Sequence, residues 1–109
     1  MLEALFGSKN RERVLQFLSA RGEGYAREIA EFYTSSLDPI QKQLERLEEA
    51  GVLVSHRIGR TRLYRFNPRY AFLDELTALL ERARLFYPEE EQERLLMERK
   101  RPRRKGKSL

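Results

Sequence analysis

At Gly51 the repeat of apolar residues changes from steps of three and four to alternation by two, and that switch constrains the fold more than any other feature. Before it runs SLDPIQKQLERLEEAG, residues 36–51. Ile40, Leu44 and Leu47 fall on one side of a 3.6-residue helix, which predicts a buried face. Asp38, Lys42, Glu45, Arg46 and Glu49 fall on the opposite side, with Gln41 and Gln43 on the flanks. Ser36 or Asp38 can cap the start, Pro39 suits the first turn, and Gly51 suits the stop. After Gly51, residues 52–58 are β-branched and partly alternating, Gly59-Arg60 can turn, and residues 61–66 alternate again. A helix leading directly into a β-hairpin is expected. An isolated hairpin is marginal in water, so this one must pack on helices, with Val54, Tyr64 and Phe66 as the expected contacts.

Two further helices are expected upstream. Residues 8–20, SKNRERVLQFLSA, carry a broad apolar face of Val14, Leu15, Phe17 and Leu18, with Ser8 placed to cap. Lys9, Arg11 and Arg13 crowd the first turns and read as a solvated charged face. Residues 26–33, AREIAEFY, predict a short helix with Ile29 and Ala30 inward and Phe32 or Tyr33 continuing that side. Thr34-Ser35 then forms a brief polar break before the helix at 36. Two short helices joined in this way make a helix-turn-helix pattern, which many proteins contain without touching DNA.

Charge position separates the hairpin from the rest. Five arginines (57, 60, 62, 65 and 69) and no acid lie between Arg57 and Arg69. Charged edges resist aggregation, but lysine serves that purpose equally well. A guanidinium is shaped for phosphate, so a basic hairpin tip predicts contact with a nucleic-acid backbone. The net charge of +5 does not carry this reading. Seven bases fall between Arg99 and Lys107, and the fifteen remaining bases face seventeen acids, which leaves the body at −2.

Residues 71–86, AFLDELTALLERARLF, are the most strongly periodic segment. Phe72, Leu73, Leu76, Leu79, Leu80, Ala83 and Phe86 form one wide apolar stripe, while Leu85 lies off it. The small domain can cover part of that stripe, and a second copy of the chain is the natural cover for the rest. Residues 89–98 can form another helix, acid-first as the dipole prefers, and a basic block follows from Arg99. A chain of 109 residues supports one core that buries roughly 65% of its unfolded surface. No apolar run approaches the ~20 residues of a membrane helix, and the first residues lack a secretory pattern, so a cytoplasmic protein is expected. Without cysteine there is no disulfide, thiolate ligand or thiol nucleophile.

Residues 5–18, LFGSKNRERVLQFL, and 27–70, REIAEFYTSSLDPIQKQLERLEEAGVLVSHRIGRTRLYRFNPRY, resemble ArsR-type winged helix transcriptional regulators, most closely a small bacterial and archaeal subgroup. The resemblance covers about residues 5 to 86 and is most specific from Leu44 to Pro68. It implies a mainly α fold with a small β-hairpin: a winged helix-turn-helix with a C-terminal dimerisation helix. The expected domain spans 1–88 and includes the dimerisation helix 71–86, followed by a charged, partly helical tail at 89–109. The implied partner is double-stranded DNA, bound by a homodimer. Asp38, Gln41, Lys42 and Glu45 would face base edges, with Ser36 and Arg46 on the backbone. Gly59, Arg60, Thr61 and Arg62 would form the wing tip, joined by Arg57.

The chain departs from the family in three places. The turn usually carries Leu-Gly where Tyr33-Thr34 stands. Asp38, Glu45 and Glu49 repel phosphate, although a carboxylate can accept from a cytosine amine. His56 is the sole histidine, so neither a metal site nor any other cofactor is expected. An acidic outward face also suits a second role, a protein-interaction module such as a regulatory partner of a nucleotidyltransferase. An enzyme is not expected, because nothing assembles a nucleophile with its base.

Overall fold

A computed structural model describes residues 1–97. The basic block at 99–107 lies outside the described residues. Among the described residues, six helices and three strands run in the order α1 (Glu3–Phe6), α2 (Lys9–Arg21), β1 (Gly24–Tyr25), α3 (Ala26–Phe32), α4 (Leu37–Glu49), β2 (Leu53–Ile58), β3 (Thr61–Phe66), α5 (Leu73–Arg84) and α6 (Glu89–Leu96). The strands form one antiparallel sheet in the order β1-β3-β2. The architecture is thus mainly helical with a small three-stranded sheet, as the change of period at Gly51 requires.

Helix α2 is the central post, touching α1, α4, α5, α6 and the sheet. Its expected inner face holds: Val14, Leu15, Phe17 and Leu18 are all buried. Ser8 caps it by accepting from Arg11 N at 3.2 Å. The expected solvated face at its start does not hold for Arg11. Its guanidinium donates to Phe6 O at 2.9 Å and to Gln43 Oε1 at 2.9 Å, which ties α2 to α4 and explains the burial of Gln43. Arg13 lies 5.2 Å over the Tyr33 ring. Glu12, one turn into α2, is buried and accepts from Leu2 N, the Met1 ammonium and the Tyr87 hydroxyl. Three donors converging on one carboxylate satisfy a charge that burial would otherwise penalise. Beside it lies a cavity of about 370 Å³ that also exposes Tyr33, Thr34 and Glu91. Burial pushes the Tyr33 and Tyr87 phenols well above their ordinary value of 10.0, and the hydrogen bond to Glu12 pushes Tyr87 further. Among the described residues, no group hydrogen-bonds to the buried Tyr33 hydroxyl.

Helix α3 ends where the pattern places the break. Ser35 N donates to Ala30 O at 2.8 Å and Thr34 N to Glu31 O at 3.1 Å, the paired bonds of a Schellman stop. Thr34 takes the left-handed position at φ 52°, a place that glycine fills without strain. Helix α4 then buries Ile40, Leu44 and Leu47, each contributing about 1.5–3 kcal/mol by leaving water. Its start differs from expectation. Ser36 stands at the N-cap with no side-chain cap bond, and Asp38 pairs with Lys42 at 3.3 Å instead. A capping oxygen accepts from the second or third amide of the helix, and the third residue here is Pro39, which has none. Gly51, at φ 83°, follows the last turn as expected.

The hairpin closes through Gly59, at φ 62°, and Arg60, the short connection that matches strand twist. Tyr64 is buried and Phe66 packs against the core, but Val54 does not join them. Register pairs Leu53 with Phe66 and Val54 with Arg65, so Leu53 shares the core face and Val54 turns to the other. Strand β1 pairs with β3 through Gly24–Tyr64 and Tyr25–Leu63. A Cβ on Gly24 would sit 2.8 Å from Phe17 Cε1, so the strand reaches β3 only because this residue has no side chain.

The stripe expected over 71–86 divides. Helix α5 starts at Leu73, two residues late, because the turn around Tyr70 continues through Phe72. Leu80 and Ala83 are fully packed, and Leu73 and Leu76 are half-buried. Phe72, Leu79 and Phe86 remain exposed at spacings of seven, as does Leu85 at the helix end. Gln16, buried on α2, donates to Leu80 O at 2.8 Å and accepts from Arg84. Helix α6 folds back with Leu95 in the core. Arg21 holds it there, donating to Leu95 O at 2.8 Å and Arg94 O at 3.0 Å, while Arg94 donates to Phe32 O at 2.9 Å. The two guanidiniums lie 5.4 Å and 4.3 Å from the Phe32 ring centre. No helix among the described residues is long and apolar enough to cross a membrane.

Candidate nucleic-acid interface

Because α4 runs straight into β2, its first turns and the hairpin tip stand on one side of the molecule. Between them lies a groove of about 350 Å³ lined by both, and by the start of α3. Gln41 comes from α4, and Arg57, Arg60, Thr61 and Arg62 come from the hairpin, as anticipated. Arg27 adds a fourth guanidinium from α3, and Tyr64 forms part of the floor. Among the described residues, no carboxylate lines the groove.

The cations here are available. Among the described residues, Arg27, Arg57 and Arg60 have no hydrogen bond or ion pair, and Arg62 has one contact, to Ser55 Oγ at 3.3 Å. Arg57 and Arg62 are directly opposed across β2 and β3. Like charges so placed destabilise a sheet, and a bound anion removes that cost. The placement of these two arginines therefore does nothing to stabilise the hairpin.

The helix side of the interface is mixed in sign. Ser36, Asp38, Lys42, Glu45, Arg46 and Glu49 are all exposed on α4. Asp38 is neutralised by Lys42. Gln41 Nε2 lies 3.1 Å from Glu45 Oε2 and 3.3 Å from the Tyr64 hydroxyl. Burial raises Tyr64 above the usual phenol value, so it stays protonated at neutral pH. Of the ten residues anticipated for DNA, five share the outward face of α4, Ser36 stands at its N-cap, and the hairpin carries the other four. Arg27 and Tyr64 escaped the sequence reading. Arg27 is the second residue of a helix whose position beside the hairpin depends on the two-residue strand β1. His56 is exposed on β2, on the face away from the groove.

No family model and no curated protein matches the sequence. Solved structures do match. Reduced HlyU from Vibrio cholerae superposes with a TM-score of 0.61 over 79% of this chain and 84% of its own, at 19% identity. A mutant of ZitR from Lactococcus lactis gives 0.53 over 79% and 66%, at 20% identity. ZitR itself, described as a zinc-responsive MarR family member, gives 0.52 over 79% and 67%, at 19% identity. Likeness at such identities speaks for the fold alone. Helix-turn-helix, antiparallel sheet and basic hairpin, in this order and in the company of these neighbours, make the chain a winged helix-turn-helix protein.

Proposed function

We propose that the protein is a DNA-binding transcriptional regulator of the ArsR type that grips a double-stranded operator as a homodimer. One observation carries the reading: four guanidiniums, none in an ion pair among the described residues, around a groove shared by the hairpin tip and the first turns of α4. In this reading Arg57, Arg60, Thr61 and Arg62 hold the phosphates, with Ser36 and Arg46 at either end of the helix. Asp38, Gln41, Lys42 and Glu45 meet base edges in the major groove. Phe72, Leu79 and Phe86, uncovered in the protomer, supply the contact between copies, with Leu73, Leu76, Leu80 and Ala83 bracing the same helix from within. A two-fold dimer presents its reading helices to successive major grooves ~34 Å apart. Occupying an operator would block or recruit polymerase.

Selection of duplexes from a random pool, with residues 99–109 deleted, tests the reading. A palindromic consensus is expected, together with a solution mass of two chains. A monomer that enriches no duplex at low salt would refute it. Glu45 and Glu49, exposed on the same helix, favour a second reading in which α4 meets a basic protein surface. That reading requires one stoichiometric protein partner and no duplex binding.

A further inference from the structure

The polar contacts at Gln41 restrict what α4 can read. Glu45 Oε2, one turn further on, stands 3.1 Å from the Gln41 amide. A carboxylate only accepts, so the Gln41 atom facing it is the amide nitrogen, and this fixes the orientation of the amide. The same nitrogen reaches the Tyr64 hydroxyl at 3.3 Å. An amide nitrogen has two hydrogens, and each now has a partner inside the protomer. Gln41 Oε1 has none among the described residues. Gln41 therefore offers DNA an acceptor and no donor, and the neighbouring Glu45 carboxylate adds further acceptors.

That limitation has a definite meaning at a base edge. A glutamine free to use both ends pairs with adenine, donating to N7 and accepting from the N6 amine. Here the donating half of that pair is spent. Guanine shows N7 and O6, both acceptors, and thymine shows O4, so each meets acceptor with acceptor. Adenine offers its amine but sets N7 beside it. Cytosine N4 presents a donor alone. We infer that Gln41, held by Glu45 and Tyr64, selects cytosine at one position of each half-site, and that Tyr64 is the positioning residue that sets this preference. The inference rests on the DNA-binding reading above. It also gives the Tyr64 hydroxyl a use: the residue is 1% exposed and fills the core, while its hydroxyl meets Gln41 beside the groove.

The experiment is duplex selection from a random pool by the full chain and by two variants, Gln41→Ala and Tyr64→Phe. Loss of preference in Gln41→Ala identifies the position read. Wild type is expected to enrich cytosine there. Tyr64→Phe keeps the ring and releases one Gln41 hydrogen, so adenine should gain on cytosine at that position alone, by about 5- to 100-fold, the range of one bidentate contact. Thermal melting of Tyr64→Phe checks that it folds. Weaker binding with every base preference unchanged would mean that Tyr64 only fills the core, and would overturn the inference. Adenine, guanine or thymine at the Gln41 position in wild type would also overturn it, while leaving DNA binding intact. Failure of wild type to enrich any duplex would remove both.

Discussion

Replacing Arg60 and Arg62 with alanine should flatten the salt dependence of DNA binding without harming the fold. Arg60 makes no contact among the described residues, and Arg62 makes only the 3.3 Å contact to Ser55. Arg62 also opposes Arg57 across the hairpin, so its loss removes a repulsion of about 0.2–1 kcal/mol. The free variant should therefore melt no lower than wild type. Binding is a different matter. If each side chain neutralises one phosphate, the dimer gives up four contacts. At about 0.9 per contact, the slope of log affinity against log salt shrinks by roughly 3.6. Between 50 and 200 mM salt, wild type should then lose about 150-fold more affinity than the variant. Fluorescence anisotropy of a labelled duplex over that range measures both slopes. Parallel lines would show that the hairpin stands clear of phosphate. A lowered melting point would show that the arginines serve the fold.

Four further outcomes follow from the packing. Thr34→Gly should stabilise the protein by up to about 1 kcal/mol in urea unfolding, because a β-branched residue leaves the left-handed position at φ 52°. Gly24→Ala should cost about 1–3 kcal/mol by the same measure, because its methyl meets Phe17 at 2.8 Å in a filled core. Leu80→Ala should cost about 2–5 kcal/mol, since the side chain is fully buried between α5 and α2. Stability should hold steady up to pH 10 and fall above it. Tyr33 and Tyr87 keep their protons when folded and release them near the ordinary value when unfolded, at most about 1.4 kcal/mol per pH unit for Tyr33 and less for the half-exposed Tyr87, which solvent screens. Phenolate absorbance should then show three of the five tyrosines, Tyr33, Tyr64 and Tyr87, ionising later than the rest, with Tyr33 and Tyr87 the last.

The elements that could be read from the chain are those whose signal is local. Ile40, Leu44 and Leu47 state a helix by spacing, and Gly51 states its end. The hairpin shows in the alternation from Thr61 to Phe66. Its phase on the first strand does not, because Val52, Leu53 and Val54 are all apolar and only register separates Leu53 from Val54. Strand β1 is two residues long and depends on Gly24 meeting Phe17, a contact with no trace in periodicity. Arg11 looked like surface charge because its partner, Gln43, lies 32 residues away; the burial of Glu12 likewise involves a partner, Tyr87, 75 residues away. For the groove, the acid-free run named Arg57, Arg60 and Arg62. Arg27 was hidden, since its place beside them follows from β1. The weak cap at Ser36 was partly legible: Pro39, three residues on, removes one of the two amides a cap can use.

Arg21 and Arg94 bracket Phe32, the last residue of the helix ahead of the turn, and pin the end of α6 to it. Force applied where the chain leaves α6 passes through those two cations into α3, with no slack loop to absorb it. The end of α6 and the last turn of α3 should therefore move together.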